Sequence, residues 1–341
     1  MILSFFNIVI AILAFGVLIL IHELGHFVLA KLNDVKVEEF AIGMGPKLLG
    51  IKGKETQYSI RALPIGGYVK MLGDESKSDD PRAFNNKSSA RRLSIVIAGP
   101  IMNLILAAVL FCIVGMSEGI ALPTVGKISA NSPAQKIGIK AGDTIVKINN
   151  YSVHTWEDIS FNMALNKGEG IKLALKNNGT IKKVTLVPQY SKKEKMYLIG
   201  ISPKFIDKPN IIEGAKYGAS ETVTMIKTVY LSLKMMVTGK ASAKDVSGPV
   251  SIIKVTGAAA NAGFIRLVNF IAFISAQLGV MNLLPIPALD GGFVFLFLFQ
   301  MITGKKVDDD KVGFVNTIGF ALLMILMIVV TIKDVVYPIN F

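Results

Sequence analysis

Four stretches of this chain contain no charged residue at all, and nothing else in it limits the fold as severely. They cover residues 1–21, 93–117, 267–289 and 312–332. Each is near or above the ~20 residues that an α-helix needs to cross a bilayer. A helix satisfies its own backbone hydrogen-bonding groups, which lipid cannot do for it. The competing reading is a water-soluble protein with four apolar core helices, but uncharged runs of this length are rare outside membranes. The expected fold class is an α-helical polytopic membrane protein with about four transmembrane helices. The first run lacks a basic flank and is too long for the apolar stretch of a cleaved signal peptide, so it reads as a retained span.

The net charge of +13 would suit a nucleic-acid binder, but its distribution has a simpler cause. Lys31, Lys36, Lys47, Lys52, Lys54, Arg61, Lys70, Arg91 and Arg92 lie between the first two runs, and Lys305, Lys306 and Lys311 between the last two. Basic residues in short loops mark the cytoplasmic side. Both loops are therefore expected in the cytoplasm, with the two termini and the long 118–265 segment outside. No nucleic-acid partner is expected. The single cysteine, Cys112, falls in the second run, where it reads as a small buried hydrophobe.

Between the apolar runs the pattern changes. Residues 57–63 alternate weakly, Pro64-Ile65-Gly66-Gly67 is a turn signal, and residues 68–71 resume, which together read as a hairpin. Residues 120–202 read as a small α+β module. It has strands at 125–128, 144–148, 172–175 and 183–187 and a helix over 156–166. Ile226, Val229, Tyr230, Leu233 and Val237 recur at helical spacing. They predict an amphipathic helix over 212–238, lying on the membrane surface or packed on the module.

The chemistry centres on His22-Glu23-Leu24-Gly25-His26. On a helix, positions i and i+4 share a face, so the two imidazoles can grip one zinc ion with Glu23 beside it as general base. The chain holds three histidines, and two of them form this motif; the third, His154, belongs to the module. Ionisable groups inside a span are costly and mark function. A catalytic zinc keeps three protein ligands and an open position. Residues 27–30 offer no third ligand. Asp290 does: it stands alone after the uncharged 267–289 run, with 14 further uncharged residues behind it. Pro285 and Pro287 break the helix before it, and irregular backbone at membrane depth is tolerated where it lines a cavity. One Zn(2+) per chain is expected, held by His22, His26 and Asp290.

His22-Glu23-Leu24-Gly25-His26, taken with Asn282-Leu283-Leu284-Pro285-Ile286-Pro287-Ala288-Leu289-Asp290-Gly291-Gly292, resembles the site-2 protease family. More narrowly, it resembles the bacterial regulated-intramembrane-proteolysis zinc proteases, which carry a PDZ module between their second and third spans. Further similarity runs through Gly43-Met44-Gly45-Pro46, Pro64 to Met71, Ala98-Gly99-Pro100 with Asn103, and Ser247-Gly248-Pro249. The resemblance covers nearly the whole chain.

It implies a division into a first span with the His motif (1–32), a cytoplasmic, membrane-associated β-hairpin region (33–91) and a second span (92–117). An extracytoplasmic PDZ domain (118–205), a linker with an amphipathic helix (206–265), a third span with the Asp290 motif (266–304) and a fourth span (305–341) follow. It also implies that Asn282 holds substrate or intermediate, and that the β region, with Gly43, Gly45, Gly66 and Gly67, pairs with an unwound substrate helix by β-augmentation.

The implied activity is intramembrane cleavage of single-span proteins or remnants, such as trimmed anti-sigma factors and signal peptides, in the bacterial cytoplasmic membrane. The lipid bilayer and transmembrane substrates are the expected partners, and peptide contact at the PDZ module stays open. The alternative is a membrane-anchored PDZ adaptor with a non-catalytic metal site. Glu23 argues against it, since a structural zinc needs no adjacent base.

Overall fold

The computed structural model describes residues 5–74, 78–166, 168–192, 194–239, 247–305 and 307–337. Residues 1–4 of the first apolar run and Lys306 of the basic loop lie outside the described residues. In chain order the elements are α1 (Phe5–Leu32), β1 (Val37–Lys52), β2 (Gln57–Met71), α2 (Ser89–Glu118), β3 (Ile120–Ile128), α3 (Pro133–Lys136), β4 (Thr144–Ile148), β5 (Tyr151–Ser152) and α4 (Trp156–Leu165). There follow β6 (Ile171–Asn177), β7 (Thr180–Leu186), β8 (Gln189–Ser191), β9 (Met196–Leu198), β10 (Ile201–Ile206) and α5 (Ile211–Val237). Four helices close the chain: α6 (Pro249–Ala262), α7 (Phe264–Asn282), α8 (Asp290–Thr303) and α9 (Asp309–Val336). The chain divides into two compact units, Met1–Ala107 with Ser232–Phe341, and Ala108–Leu231.

The first unit is helical and membrane-spanning. Helices α1, α2, α7 and α9 are long and apolar enough to cross a bilayer. Phe320, Leu322, Ile325, Leu326 and Ile328 of α9 stay exposed, as lipid-facing side chains do. Between α7 and α8 the helix is interrupted at Leu283–Leu289, where Pro285 and Pro287 remove backbone donors. The segment then folds back so tightly that a Cβ on Gly291 would overlap the carbonyl of Leu284. This break delivers Asp290 to the first turn of α8. Helix α6 falls inside what the sequence suggests is linker. Its N-terminus is capped across the fold by the fully buried Asp334 of α9, which accepts a hydrogen bond from the Ser251 amide at 2.8 Å.

The β region departs from the expected local hairpin. The sequence suggests that residues 57–63 and 68–71 pair with each other. Instead β1 lies between them: Phe40 pairs with both Tyr58 and Val69, and Ala41 with both Ser59 and Tyr68. The outer part of β1 then folds back, so that Leu49, Gly50 and Ile51 pair with Ile60, Ser59 and Tyr58. Gly43 (φ +85°) and Gly45 (φ +82°) make that bend, and Gly66 (φ +82°) makes the one in β2. A turn signal fixes where the chain bends but not which distant segment fills the gap. The result is an antiparallel sheet with the 67–71 segment at one edge. Val35, Val37, Phe40, Val69 and Met71 form a core with Ala30, Phe84, Ile95 and Phe297. That core fixes the sheet to α1, α2 and α8.

The second unit has a sheet of order β10-β3-β4-β6-β7, with β5 paired to β4. Val125, Ile139, Ile145, Ile148, Ile159, Ile171, Leu173 and Ile199 fill its core. Helix α5 takes the second of its two expected placements. Thr224 bonds to Thr155 at 3.0 Å and to Asp158 at 3.1 Å, which packs α5 on the N-terminus of α4. Glycines let α5 approach α2 as well: a Cβ on Gly218 would overlap the Ala108 carbonyl.

Glu157 of α4 and Glu221 of α5 face each other in this contact, Glu221 only 2% exposed. Burial pushes both carboxyls above the ordinary glutamate range, and for Glu221 the adjacent Glu157 charge adds to it. The folded state therefore holds a proton that the unfolded chain would release. The contact is fully favourable at acid pH and weakens as pH rises above the ordinary glutamate range. Glu221→Gln should accordingly raise the melting temperature at about pH 8 by ~2 °C or more and leave it unchanged at about pH 5, measured by thermal denaturation of the full chain in detergent.

Candidate metal centre

Three side chains that are far apart in sequence converge in the first unit. His22 and His26 sit one turn apart on the same face of α1, and the break before α8 brings Asp290 opposite them. The Nε2 atoms of the two histidines are 3.2 Å apart. Asp290 Oδ2 lies 3.1 Å from His22 Nε2 and 3.6 Å from His26 Nε2. Despite those distances, Oδ2 is buried without a hydrogen bond of acceptable geometry. Three lone pairs thus point at a common centre, where a donor would normally meet an acceptor.

That arrangement suits a metal. Tetrahedral zinc at ~2.0–2.1 Å from each ligand holds its ligand atoms about 3.3 Å apart, which matches the observed triangle. The distal ring nitrogens are also engaged. His26 Nδ1 donates to the Ile95 carbonyl at 2.9 Å, and His22 Nδ1 lies 3.3 Å from the Asn103 side-chain amide. The rings stand nearly perpendicular, at 83°. The three side chains keep exposures of 13%, 12% and 22% for His22, His26 and Asp290, so none is fully sealed.

Helix α2 closes the other side. Gly25 of α1 meets the Ala98 carbonyl so closely that any side chain there would collide. Gly99 faces the imidazoles: a Cβ on it would overlap His26 Nε2 and come within 2.9 Å of His22 Cε1. Glu23, next to His22, points toward the sheet, where Gly67 would place a Cβ 3.1 Å from Glu23 Cγ. The other glycines of the β region sit farther along it. Gly66 packs on Met44, and the Gly45 carbonyl accepts from Arg61 at 2.8 Å. Gly43 lies against the Leu63 carbonyl. Asn282, the last residue of α7, is half-buried.

The chain matches the model of peptidase family M50 over residues 10–326. The chain belongs to peptidase family M50. A Clostridium acetobutylicum protein, provisionally named a zinc metalloprotease, is 99% identical over 339 residues, covering 99% of this chain and 100% of that one. The zinc metalloprotease RasP of Geobacillus kaustophilus is 31% identical, covering 95% of this chain and 96% of its own length. The regulator of sigma-W protease RasP of Bacillus subtilis is also 31% identical, over 97% of this chain and 99% of its own. A PDZ domain of an SdrC-like protein from Listeria monocytogenes aligns with 26% of this chain at 18% identity and TM-score 0.22. This M50 peptidase is a zinc metalloprotease of the site-2 class, acting within the membrane of a bacterium as a multi-pass protein.

Sequence reasoning about the M50 motifs brought out the converging residues but gave no role to Ile95, Gly99 or Asn103. Their spacing carried a signal: 95, 99 and 103 are four apart, so one face of α2 presents all three to the histidines. Gly99→Ala should leave the helix intact, since alanine favours helix by about 1 kcal/mol. It should nonetheless lower bound zinc from one per chain to well below that, as read by elemental analysis of the purified protein.

Proposed function

We propose that His22, His26 and Asp290 hold the zinc of this peptidase and that Glu23 is its general base. The observation that carries this reading is the triangle of three converging ligand atoms, with a carboxylate one residue from the first of them. Bound there, zinc would polarise the scissile carbonyl and make a water acidic enough to attack near neutral pH. Glu23 takes the proton from the attacking water and delivers it to the leaving amine.

The substrate is a membrane-spanning helix, a single-span protein or a remnant such as a trimmed anti-sigma factor or a signal peptide. Such a helix hides its peptide bonds, and each bond freed in lipid costs several kcal/mol unless another group takes its place. The edge segment 67–71 is suited to take that place. One side of it pairs with β1, and Gly67 sits against Glu23. A substrate strand added to that edge runs past the base and the metal. Gly43, Gly45 and Gly66 shape the bends that present the edge, and Asn282 supports the substrate or the intermediate. Exposed Leu48, Leu49, Ile51 and Ile60 suit a sheet dipped into the membrane.

Residues 118–205 are read as an extracytoplasmic PDZ domain. Its sheet with two short helices supports that reading, and the basic loops at 33–91 and 305–311 support the orientation. The boundaries of the remaining segments follow the division given from the sequence. Counted from its outer end, α1 reaches His22 after roughly 25–30 Å, which favours a cut in the cytoplasmic half of the bilayer.

Glu23→Gln tests the assignment. The variant should keep its zinc and lose at least ~100-fold in cleavage of a tagged single-span model substrate, while a chelator abolishes wild-type cleavage. Equal cleavage by both proteins would remove Glu23 from the mechanism. Val69→Pro, which breaks the pairing of this segment with Phe40 of β1, should slow cleavage by ~10-fold or more, read beside the zinc content and melting temperature of the same protein.

A further inference from the structure

Asn103 is 1% exposed, deep in α2, and polar side chains so placed need a reason. Its backbone carbonyl is used: the Ser275 hydroxyl of α7 donates to it at 2.7 Å. Its side-chain amide has one neighbour, His22 Nδ1 at 3.3 Å, and its Oδ1 is buried with no hydrogen-bond partner. An unused acceptor therefore lies on the same amide that touches the distal nitrogen of a proposed zinc ligand.

The two nitrogens of an imidazole divide the work. His22 Nε2 points into the triangle with His26 and Asp290. To bind a cation it must offer a lone pair, and then the ring proton resides on Nδ1. A proton on Nδ1 needs an acceptor. His26 has one in the Ile95 carbonyl. For His22 the amide of Asn103 is the group within reach, and a half-turn about its last side-chain bond exchanges NH2 for Oδ1 at nearly the same position. With NH2 toward the ring, Nδ1 accepts and the proton sits on Nε2, against Asp290. With Oδ1 toward the ring, Nδ1–H donates and Nε2 is free.

We propose that Asn103 is a positioning residue that sets the tautomer and ring orientation of His22 for zinc, accepting the Nδ1–H through Oδ1 when the metal is bound. The inference rests on the reading of His22, His26 and Asp290 as the zinc ligands. It gives α2 a chemical part in the centre: Ile95 orients one histidine, Asn103 the other, and Gly99 between them leaves the room. Groups that orient metal ligands in this way commonly govern affinity by 10–100-fold.

The test uses the full chain in detergent and zinc competition against a chromogenic chelator. Asn103→Leu, similar in size and without an acceptor, should weaken zinc binding by about 10–100-fold. Asn103→Asp, which keeps an acceptor at the same reach, should bind within ~3-fold of wild type. The melting temperatures of the zinc-free forms should stay together. Because the chain has three histidines, the 15N spectrum of the histidine-labelled, zinc-loaded wild type gives a second reading that needs no variant: two ligand rings should show Nδ1 protonated and Nε2 metal-bound.

If Asn103→Leu holds zinc as tightly as wild type, or if Asn103→Asp loses it as badly as Asn103→Leu, the role of Asn103 is overturned and the centre stands. A zinc-bound His22 with Nδ1 unprotonated overturns it as well. Failure of the wild type itself to bind zinc, or zinc binding that survives His22→Ala undiminished, overturns the ligand assignment and the inference with it.

Discussion

A carboxylate and two imidazoles meeting in the apolar interior of a membrane protein is the condition to which the rest of this structure answers. Each of these groups is costly to place there alone. Together they still do not satisfy one another, since Asp290 Oδ2 is buried without a hydrogen bond although two ring nitrogens lie within 3.6 Å. On the proposed reading a cation resolves the conflict, turning three competing lone pairs into three ligands. The broken helix before Asp290, the glycine opposite the histidines and the edge strand beside Glu23 can each be understood as a means of assembling or serving that point.

Close approach between α1 and α2 is the main packing device. Gly25 lets the backbone of α1 reach the Ala98 carbonyl, and Gly99 leaves the rings unobstructed. Two helices with larger residues at these positions would stand farther apart, and Ile95 and Asn103 would no longer reach Nδ1 of His26 and His22. In lipid, where water cannot substitute for a missing partner, such small-residue contacts are how helices bring polar groups together. Backbone proximity and ligand orientation are therefore one requirement met by one helix face.

How far the sequence reveals this depends on the range of the interaction. The spans were legible because each is a local run, and His22 with His26 because four residues make one helical turn. Asp290 could be joined to them across more than 260 residues only because an isolated carboxylate in an apolar run demands a partner. The sheet was less legible. Pro64 and Gly66 announce a bend, but the segment that pairs on both sides of Phe40 comes from a separate part of the chain, and alternation alone does not fix register. Helix α6 was hidden because its start is capped by Asp334 from the other end of the chain, and strand β10 because it is short and its partner β3 lies far upstream. Asn103 stood out in the sequence only as part of the family similarity, and its neighbour His22 is what suggests a role for it.

The edge strand and the metal site impose opposite demands, and their placement shows how both are met. A peptide bond must be reached by water and by Glu23, yet polar groups on an open strand edge are costly in lipid. On the proposed reading, placing the 67–71 segment against Glu23 brings the backbone that a substrate strand would cover beside the base. The opposite side of that segment is already paired with β1, and Val69 and Met71 are anchored in the core with Phe40 and Ile95. In the proposed mode the segment is already paired and packed on one side, so most of the conformational cost of forming a β pairing would fall on the substrate. A helix that unwinds easily can meet that cost, whereas a stable one cannot. Selection among membrane helices then follows from local helix stability near the scissile bond, with side-chain recognition adding to it.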